Sequence, residues 1–304
     1  MEKFKSLVKA ARFSFLTATI VPVSYGTALG FYKGKFDFCF FLWTLIGSAI
    51  LHLGTNLINN YFDYLNGSDV INLNRTPFNG GTDVIVKGQI KAETVAKAAF
   101  ACYTIGAAIG FYLAYHRGIP VFYLGMAGII LSYLYSAPPV SLMSRGLGEF
   151  TVGLCFGPLL VIGAYYVQTQ VFDPAVLFAG IPLGLLITAV LYVNQFPDYE
   201  ADKKVRKANW IVRLGLKRAV KWYYVLISLA YIFICLQVGL RVIPLTALAG
   251  LLTLPLALKA FSIIKDNFDQ IQAMVPCMAA TIGLHFITGS LLVVSLILAQ
   301  IFRI

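Results

Sequence analysis

Two short polar stretches of the sequence carry carboxylates at the ends of long apolar runs. The first runs from Asn56 to Asp69 and reads NLINNYFDYLNGSD, and the second runs from Asn194 to Asp202 and reads NQFPDYEAD. An ionised carboxylate at the centre of a membrane-spanning helix costs about 2.5–3.5 kcal/mol on insertion scales, so acids in such runs require a compensating charge. A bound cation is the simplest compensation.

Helical spacing would place the oxygen-bearing side chains of each stretch on one face of a helix. In the first stretch, the positions i, i+3, i+4 and i+7 are Asn56, Asn59, Asn60 and Asp63. In the second, the positions i, i+4 and i+8 are Asn194, Asp198 and Asp202. Carboxylate and amide oxygens without a nearby His or Cys suit a hard cation, and Mg²⁺ takes one or two protein carboxylates beside water and substrate phosphate. Two such faces would therefore hold a diphosphate between metal ions.

Basic residues lie beside both acidic stretches. They are Arg75 and Lys87 after the first stretch and Lys203, Lys204, Arg206 and Lys207 after the second. Cations in these positions would stabilise the negative charge that builds on a leaving group, which favours departure of pyrophosphate. The alternative is that the carboxylates only cap helix ends and that the basic residues only follow the usual charge distribution of membrane-protein loops.

The elements that must position these residues are membrane-spanning helices. The chain has 304 residues, of which 59% are hydrophobic and 12% are charged, and its mean hydropathy is +0.79. These values exclude a soluble globular domain and predict a polytopic membrane protein. The charged N-terminal run predicts no cleavable signal peptide. The net charge of +11 is typical of cytoplasmic loops in such a protein, so we expect no nucleic-acid partner.

Nine apolar segments are long enough to cross about 30 Å of hydrocarbon. They lie near residues 13–32, 38–60, 94–115, 119–137, 147–168, 174–196, 219–239, 242–260 and 277–300. Because hydrocarbon cannot satisfy a bare backbone, and because the runs are too uniformly apolar for barrel strands, we expect helices. The predicted fold is all-α, with nine transmembrane helices around a central cavity. The whole chain, 1–304, would form one domain of two related four-helix halves, about 13–137 and 147–260, plus a ninth helix, 277–300.

The distribution of positive charge predicts how these helices are oriented. When successive loops are assigned to alternate sides, nineteen of the 24 Lys and Arg residues fall on the side that holds the N-terminus and both acidic stretches. The positive-inside rule makes that side cytoplasmic, in a multi-pass protein of the cell membrane. The long polar loops 64–91 and 197–217 also lie there, and loops of that length commonly cover binding sites. The C-terminal Ile304 would lie on the other side.

The two acidic stretches resemble the signatures of a known family. Together with the basic turn and the sequence Arg213-Leu-Gly215 that follow the second stretch, they resemble the two motifs of the UbiA superfamily of intramembrane aromatic prenyltransferases. The segments NRTPFNGGTDVIVKGQI (74–90) and YSAPPVSLMSRGLGE (135–149) further resemble the branch that prenylates dihydroxynaphthoate in menaquinone synthesis. The resemblance spans most of the chain.

The resemblance implies roles for individual residues. Two Mg²⁺ ions on the donor diphosphate would be bound by Asp63, Asp69, Asp198 and Asp202, with Asn59 and Asn194 assisting. Three positions depart from the family pattern, namely Asn60 where an acid is usual, Arg206 where Gly is usual, and Met143 where Lys is common. A Lys in place of Met143 would meet an acceptor carboxylate, so Arg145, two residues further on, is the expected substitute.

Other polar residues in the apolar runs give weaker signals. Tyr135 could hold an allylic cation against its ring by a cation–π attraction of about 0.5–2 kcal/mol, and its alternative role is that of an interfacial anchor. The histidines have no partner visible in the sequence and are expected to be non-catalytic; they are His52, His116 and His285. Pro197 is expected to break or kink the sixth helix.

These arguments predict an Mg²⁺-dependent enzyme of the lipid bilayer that moves an isoprenyl group from a prenyl diphosphate to a lipophilic or aromatic quinone-precursor acceptor. The predicted catalytic residues are Asp63, Asp198, Asp202 and Tyr135. The predicted substrate-binding residues are Asn56, Asn59, Asn60, Arg75, Lys87, Arg145, Asn194, Lys203 and Lys207. Two alternatives are an ether-lipid enzyme acting on a digeranylgeranylglyceryl-phosphate-type acceptor and a cation transporter with Asp-lined ion sites. A basic loop beside the acids would repel a transported cation and attract a phosphate, which favours the enzyme.

Overall fold

The computed structural model describes residues 2–79 and 81–303 of the chain. These residues form fifteen α-helices joined by loops and short 3₁₀ or π-helical segments, and no β-strand occurs among them. The helices are α1 (Glu2–Ala11), α2 (Thr17–Tyr32), α3 (Phe38–Leu65), α4 (Ser68–Ile71), α5 (Ala92–Arg117), α6 (Ile119–Ser136), α7 (Gly148–Leu154), α8 (Leu160–Thr169), α9 (Pro174–Ala179), α10 (Ile181–Asn194), α11 (Tyr199–Lys204), α12 (Trp210–Leu214), α13 (Leu216–Gly239), α14 (Leu254–Asn267) and α15 (Ile271–Phe302). The all-α prediction is confirmed for this part of the chain. The side predicted for Ile304 concerns a residue outside the described ranges.

Within the described ranges, nine helical segments are long and apolar enough to cross a membrane. They are Glu2–Tyr32, Phe38–Leu65, Ala92–Arg117, Ile119–Ser136, Gly148–Thr169, Pro174–Asn194, Leu216–Gly239, Leu245–Asn267 and Ile271–Phe302. The chain is therefore a multi-pass membrane protein, and the predicted number of spans is confirmed for these residues. The first segment combines α1 and α2, which are separated at Arg12, where φ is +51°.

Helices α3 and α5 pack closely because small residues lie where they meet. A Cβ added at Gly54 would lie 3.0 Å from the Cβ of Cys102, and one added at Gly47 would lie 2.8 Å from a side-chain carbon of Ile109. Glycine at these positions lets the two backbones approach each other, as is common between membrane helices. This pair supplies one wall of the cavity described below.

The fifth span is interrupted by a π-helical segment, Cys155–Leu159, between α7 and α8. Pro158 has no N–H to donate, and Gly157 has φ −111° and ψ −105°, outside the helical region. A Cβ on Gly157 would lie 2.5 Å from the Cα of Gly184 in α10. The irregular segment therefore allows the fifth and sixth spans to approach more closely than ordinary side chains would permit.

The largest apolar core connects the first span to the C-terminal spans. Its buried members include Tyr25 on α2, Leu183 on α10, Tyr223 on α13 and Leu284 on α15. A second cluster joins α1, α3 and α5 around Leu57. Because the larger core draws on residues of both predicted halves, the halves share an interior. Their relationship as two repeated four-helix units stays a prediction.

The two acidic stretches end the second and sixth spans in different ways. Helix α3 continues through the first stretch to Leu65, so the first polar face forms as predicted. Helix α10 ends at Asn194, and Asp198 lies in the turn before α11 begins at Tyr199. The prediction that the second stretch continues as one helix is wrong, because Pro197 lacks an N–H and disfavours a helical residue before it. The break expected at this proline is confirmed.

Candidate active site

A cavity of about 370 Å³ opens at the ends of α3 and α10 and extends into the membrane-spanning part of the bundle. Its polar end is lined by Arg12, Asn56, Asn59, Asp63, Asn79, Tyr135, Asn194, Gln195, Asp198, Asp202, Lys207 and Asn209. Farther inside, the lining is mostly apolar and comes from α3, α5, α6, α8 and α10. A charged mouth above an apolar interior suits an amphiphile with a strongly polar head and a hydrocarbon tail.

The ammonium of Lys207 lies between the two acidic stretches. Its Nζ donates to Asp63 Oδ1 at 2.9 Å and lies 3.6 Å from Asp202 Oδ1. All three side chains are buried. Burial lowers the pKa of Lys207, but the carboxylates of Asp63 and Asp202 outweigh this effect and raise the pKa above its ordinary value. A protonated Lys207 therefore joins the first acidic stretch to the second.

Asp202 is anchored by the turn that follows α11. Asn209 Nδ2 donates to Asp202 Oδ2 at 2.7 Å, and the N–H of Lys207 donates to the carbonyl oxygen of Asp202 at 2.8 Å. Burial raises the pKa of Asp202 to about 7, although Lys207 lies beside it. A carboxyl group with that pKa changes its ionisation near neutral pH, so a cation that binds it would favour the ionised form.

Residues Glu149 and Trp210 hold this turn in place. Glu149 is fully buried, and its Oε1 accepts a hydrogen bond of 2.8 Å from the N–H of Trp210. The indole Nε1 of Trp210 donates to the carbonyl oxygen of Gly146 at 2.9 Å. Because Asn209 and Lys207 lie just before Trp210, these bonds fix the turn that presents both residues to the carboxylates.

A capping loop, defined as residues 72–79 together with 81–83, lies over the polar end of the cavity. Asn72 Nδ2 donates a hydrogen bond of 2.7 Å to Asp198 Oδ1, and the side-chain amide of Asn79 donates to the same oxygen. Asn79 also lines the cavity. Amide donors stabilise an ionised carboxylate. The capping loop is therefore attached to the second acidic stretch through Asp198.

The capping loop is attached to the first acidic stretch through Asn60. The N–H of Thr82 donates to Asn60 Oδ1 at 2.9 Å, and Asn60 Nδ2 donates to the carbonyl oxygen of Ala10 at 2.8 Å. Asn60 is fully buried and does not line the cavity. It therefore holds α1 and the capping loop against α3, and its predicted contact with substrate stays a prediction.

Asp69 lies beneath the capping loop and outside the lining of the cavity. Its carboxylate packs against Gly81, where φ is +62° and an added Cβ would overlap the carboxylate oxygens. Burial, followed by the charge of Asp63, raises the pKa of Asp69 to about 7. The metal-binding role of Asp69 stays a prediction.

The first loop keeps its two basic residues, Arg75 and Lys87, away from the cavity. The guanidinium of Arg75 donates to the carbonyl oxygen of Asp69. Lys87 Nζ lies 2.6 Å from Asp83 Oδ2. Hydrogen bonds from Lys87 and then from Lys9 lower the pKa of Asp83 to about 2. Both residues order the loop, and their predicted contacts with substrate stay predictions.

The structure places Met143, and not Arg145, at the cavity. Met143 is buried, and its sulfur accepts a hydrogen bond of 3.4 Å from Asn59 Nδ2. Arg145 is exposed and donates to the carbonyl oxygen of Pro139 at 2.9 Å. Lys203 is exposed as well and does not line the cavity. Arg145 and Lys203 therefore lie outside the cavity lining, and their predicted contacts with substrate stay predictions.

Sequence reasoning missed several residues that line the polar end of the cavity. They are Arg12, Asn79, Gln195 and Asn209. A signal existed for Asn79, which lies in the segment NRTPFNGG, and for Asn209, which follows the basic turn closely. Arg12 had no comparable signal, because its position depends on how α1 packs against α3.

The polar end has a donor set that suits a hard divalent cation. Carboxylates come from Asp63, Asp198 and Asp202, and the lining residue Asn194 has a buried side-chain oxygen without a hydrogen-bond partner among the described residues. The ammonium of Lys207 already lies beside the carboxylates of Asp63 and Asp202, so this position suits a positive charge. Residues 2–79 and 81–303 contain no group of three or more His, Cys, Asp or Glu arranged as a metal centre. Mg²⁺ needs only one or two protein carboxylates where a phosphate supplies further ligands, so these residues fit it.

In the part of the chain that the structure describes, nine candidate spans form a helical bundle with a carboxylate-lined mouth above an apolar cavity, an arrangement that suits an intramembrane enzyme. The model of the UbiA prenyltransferase family matches residues 19–281. The chain belongs to this family and is a prenyltransferase. The predicted family and enzyme class are confirmed, and the cation-transporter alternative is set aside.

Two relatives of the chain are naphthoate prenyltransferases. The chain is 30% identical over 219 residues to the 1,4-dihydroxy-2-naphthoate octaprenyltransferase of Bacillus subtilis (strain 168), a match that covers 72% of this chain and 69% of that protein. It is 28% identical over 312 residues to the 1,4-dihydroxy-2-naphthoate octaprenyltransferase of Escherichia coli (strain K12), which covers 99% of this chain and 97% of that protein. Both relatives therefore match most of the chain.

Solved structures share the same fold. A structure of digeranylgeranylglyceryl phosphate synthase has a TM-score of 0.64 at 19% identity and covers 99% of this chain and 100% of that chain. A UbiA homolog from Archaeoglobus fulgidus bound to GPP and Mg²⁺ has a TM-score of 0.61 at 19% identity and covers 94% of this chain and 99% of that chain. At this identity the likeness shows the fold alone. In the second structure a divalent metal ion accompanies the ligand.

Proposed function

We propose that this prenyltransferase moves an isoprenyl group from a prenyl diphosphate to an aromatic quinone precursor of the dihydroxynaphthoate type. The observation that carries the proposal is the cluster of Asp63, Lys207 and Asp202 at the mouth of an apolar cavity. The charged mouth suits a metal-bound diphosphate, and the apolar interior suits an isoprenyl chain and an aromatic ring. The names of the two naphthoate relatives support the acceptor class.

The proposed metal is Mg²⁺, held by Asp63, Asp198 and Asp202. When bound there, Mg²⁺ would neutralise negative charge on the diphosphate. Lys207 and Arg12 line the same end of the cavity and add positive charge of their own. Because charge on the leaving group increases as the C–O bond breaks, both side chains would stabilise the transition state more than the ground state.

The residues next to the polar end would hold the reacting carbon. Tyr135 and Asn59 line the cavity there, and Asn59 Nδ2 donates to Ser136 Oγ at 3.0 Å, which fixes its amide. The ring of Tyr135 would stabilise a positively charged allylic carbon by about 0.5–2 kcal/mol. The apolar lining beyond it would exclude water, which otherwise competes with the acceptor for that carbon.

We further propose that the enzyme lies in the cell membrane with the mouth of its cavity on the cytoplasmic side. The support is the charge distribution, since nineteen of the 24 Lys and Arg residues fall on that side. Single cysteines would test it in a variant without the five native ones, at Leu73, which is 91% exposed, and at Leu240, which is 60% exposed. An impermeant thiol reagent should label Leu240→Cys in intact cells and Leu73→Cys only after permeabilisation. Labelling of both from one side would contradict this orientation.

The acceptor is tested by incubating the purified protein with Mg²⁺, a labelled prenyl diphosphate and a panel of acceptors. The panel contains 1,4-dihydroxy-2-naphthoate, 4-hydroxybenzoate and a prenylglyceryl phosphate. We expect a prenylated naphthoate as the main product. Because the likeness to digeranylgeranylglyceryl phosphate synthase concerns the fold, the ether-lipid alternative stays open until this experiment, and prenylation of the glyceryl phosphate alone would establish it.

A further inference from the structure

Helix α1 is short, amphipathic and only partly covered by the rest of the protein. Two of its alanines, Ala10 and Ala11, are buried in the cluster that joins α1, α3 and α5. By contrast, Phe4 is 70% exposed and Val8 is 39% exposed. These two side chains are one helical turn apart, so they form an apolar stripe that the described residues leave largely uncovered.

Lysines lie on both sides of this apolar stripe. Neighbouring residues of an α-helix point about 100° apart, so Lys3 and Lys5 flank Phe4 on opposite sides. Both lysines are exposed. The sequence of α1 contains three lysines and one acid, Glu2. An apolar stripe between long cationic side chains is typical of a helix that lies in the interface of a membrane.

The C-terminal end of α1 lies at the boundary of the hydrocarbon core. Asn56 Nδ2 donates to the carbonyl oxygen of Ala11 at 3.0 Å, and Asn60 Nδ2 donates to that of Ala10 at 2.8 Å. From Phe38, the first residue of α3, to Asn56 the helix rises about 27 Å. Because the hydrocarbon core is about 30 Å thick, the two asparagines mark the level at which α3 leaves it.

Helix α1 is not a straight continuation of the first span. Arg12 has φ of +51° and lies in the left-handed region, and the 3₁₀ segment Phe13–Leu16 separates it from α2. A left-handed residue ends an α-helix and turns the chain. Phe13, directly after this turn, is 48% exposed. Helix α1 therefore leaves the line of the first span at the membrane boundary.

Two contacts connect α1 to the capping loop. Lys9 Nζ lies 2.6 Å from Asp83 Oδ1. Asn60, which binds the end of α1, also accepts a hydrogen bond of 2.9 Å from the N–H of Thr82. The capping loop is in turn bonded to Asp198 at the polar end of the cavity. The position of α1 is therefore linked to the cover over the cavity.

We propose that α1 binds an anionic lipid surface, with Phe4 and Val8 in the acyl boundary and Lys3 and Lys5 at the headgroups, and that this contact holds the capping loop in place. The proposal goes beyond the proposed function and requires only that the chain spans a membrane. The bilayer is the partner because the end of α1 already lies at its boundary, and because the exposed lysines match the negative charge of anionic phospholipids. A soluble protein would have to compete with lipid for the same stripe.

The test compares the purified protein in bilayer nanodiscs of phosphatidylcholine with and without phosphatidylglycerol, an anionic lipid. Amide hydrogen exchange is measured for α1 and for the capping loop. One lysine near an anionic surface strengthens binding about fivefold, so phosphatidylglycerol should slow exchange of both segments about fivefold or more. High salt should remove the difference, because it screens the charges.

The double variant Lys3→Gln/Lys5→Gln should lose the response of both segments to phosphatidylglycerol. Its exchange and its turnover in phosphatidylcholine alone should equal those of the wild type. The matched control is Lys33→Gln/Lys35→Gln, which removes two exposed lysines with the same spacing at the other end of the first span. This control should respond to phosphatidylglycerol as the wild type does. Equal exchange of the buried helix α10 in all proteins checks that each variant is folded.

A single variant, Lys9→Gln, tests the link between α1 and the capping loop. It removes the ion pair with Asp83, so α1 should keep its response to phosphatidylglycerol and the response of the capping loop should weaken. Equal exchange of wild-type α1 in both lipid mixtures, or equal loss of response in the two double variants, would overturn the proposal. So would a wild-type capping loop that does not respond when α1 does. A protein that shows the lipid response but prenylates no acceptor rejects the proposed function alone.

Discussion

Lys207 Nζ donates to Asp63 Oδ1 at 2.9 Å, and these two residues lie 144 positions apart in the sequence. The contact joins the end of the second span to the turn after the sixth. It also supplies the compensating charge that carboxylates at the ends of apolar runs require. The chain therefore carries a cation of its own at the place where the sequence predicts a bound metal ion.

The first prediction concerns the stability of this cluster. Lys207→Met removes the charge and leaves Asp63 and Asp202 buried without their ammonium, and such a loss costs about 3–5 kcal/mol. The variant should unfold at a lower temperature than the wild type in metal-free detergent solution. Millimolar Mg²⁺ should restore more stability to the variant than to the wild type, because a cation at the carboxylates replaces the missing charge.

The control for this prediction is Lys204→Met, since Lys204 lies at the end of α11 and is exposed. Its unfolding temperature should equal that of the wild type with and without Mg²⁺. If both lysine variants were destabilised equally, or if Mg²⁺ had no effect on Lys207→Met, the link between the lysine and a metal site would be lost.

The second prediction concerns catalysis by the acidic stretches. Asp63→Asn and Asp198→Asn each remove a carboxylate from the polar end of the cavity, and kcat should fall by about 10²-fold or more. EDTA should abolish turnover of the wild type. Asp266→Asn, which changes an exposed acid on α14, should leave kcat unchanged. Normal turnover by either site variant, or by the wild type in EDTA, would remove the proposed mechanism.

The continuation of helix α3 into the first acidic stretch could be predicted, because the apolar run before it is long enough for a helix and its polar residues have helical spacing. The turn after α10 could not, since its path depends on partners far away in the sequence, such as the bond from Trp210 to Glu149. Arg206 in that turn has φ of +58°, a left-handed conformation that glycine adopts without strain. The family usually has glycine at this position. Arg206 replaces that glycine here and still adopts the left-handed conformation.

The sequence could not predict which of the neighbouring basic residues would line the cavity. Lys203 and Lys207 are only four residues apart in the sequence. Lys203 is nevertheless exposed, whereas Lys207 is buried between two carboxylates. Likewise, Met143 and Arg145 are two residues apart, and the short 3₁₀ segment that contains them turns only Met143 toward the cavity. Such differences depend on local backbone direction, which residue type does not determine.

The third prediction concerns the capping loop. Asn79→Ala removes a hydrogen bond to the Asp198 carboxylate, and a bond to a charged group contributes about 1.5–3 kcal/mol. Residues 72–79 should then exchange amide hydrogen faster, and the KM for the donor should rise. Gln89→Ala, an exposed change in the turns that follow the capping loop, should do neither. Unchanged exchange in Asn79→Ala would show that this bond does not hold the loop.

The fourth prediction concerns the acceptor. Because Met143 lies at the cavity beside Asn59 and Arg145 faces solvent, Met143→Ala should raise the KM for the acceptor more than the KM for the donor. Arg145→Ala should change neither constant by more than about twofold. A selective rise of the acceptor KM in Arg145→Ala would mean that the 3₁₀ segment rearranges when the acceptor binds.

The last prediction concerns pH and the role of Asp69. Its pKa is about 7 in the folded protein and about 3.9 in an unfolded chain. The protonated carboxyl therefore contributes stability that is fully present below pH 4 and is lost as pH rises through 7. Asp69→Asn is neutral at every pH, so in EDTA it should unfold at a higher temperature than the wild type above pH 7. This advantage should decrease as the pH falls toward 4.

Asp83→Asn gives the opposite sign and serves as the contrast for Asp69→Asn. The pKa of Asp83 is lowered to about 2 by hydrogen bonds from Lys87 and Lys9, so its ionised form contributes stability above pH 4 that is lost as the pH falls toward 2. Asp83→Asn should therefore unfold at a lower temperature than the wild type at pH 8.

A measurement in saturating Mg²⁺ then decides the role of Asp69. If Asp69 is a metal ligand, Mg²⁺ should stabilise the wild type more than it stabilises Asp69→Asn. Equal stabilisation of both proteins by Mg²⁺ would show that Asp69 supports the capping loop and binds no metal.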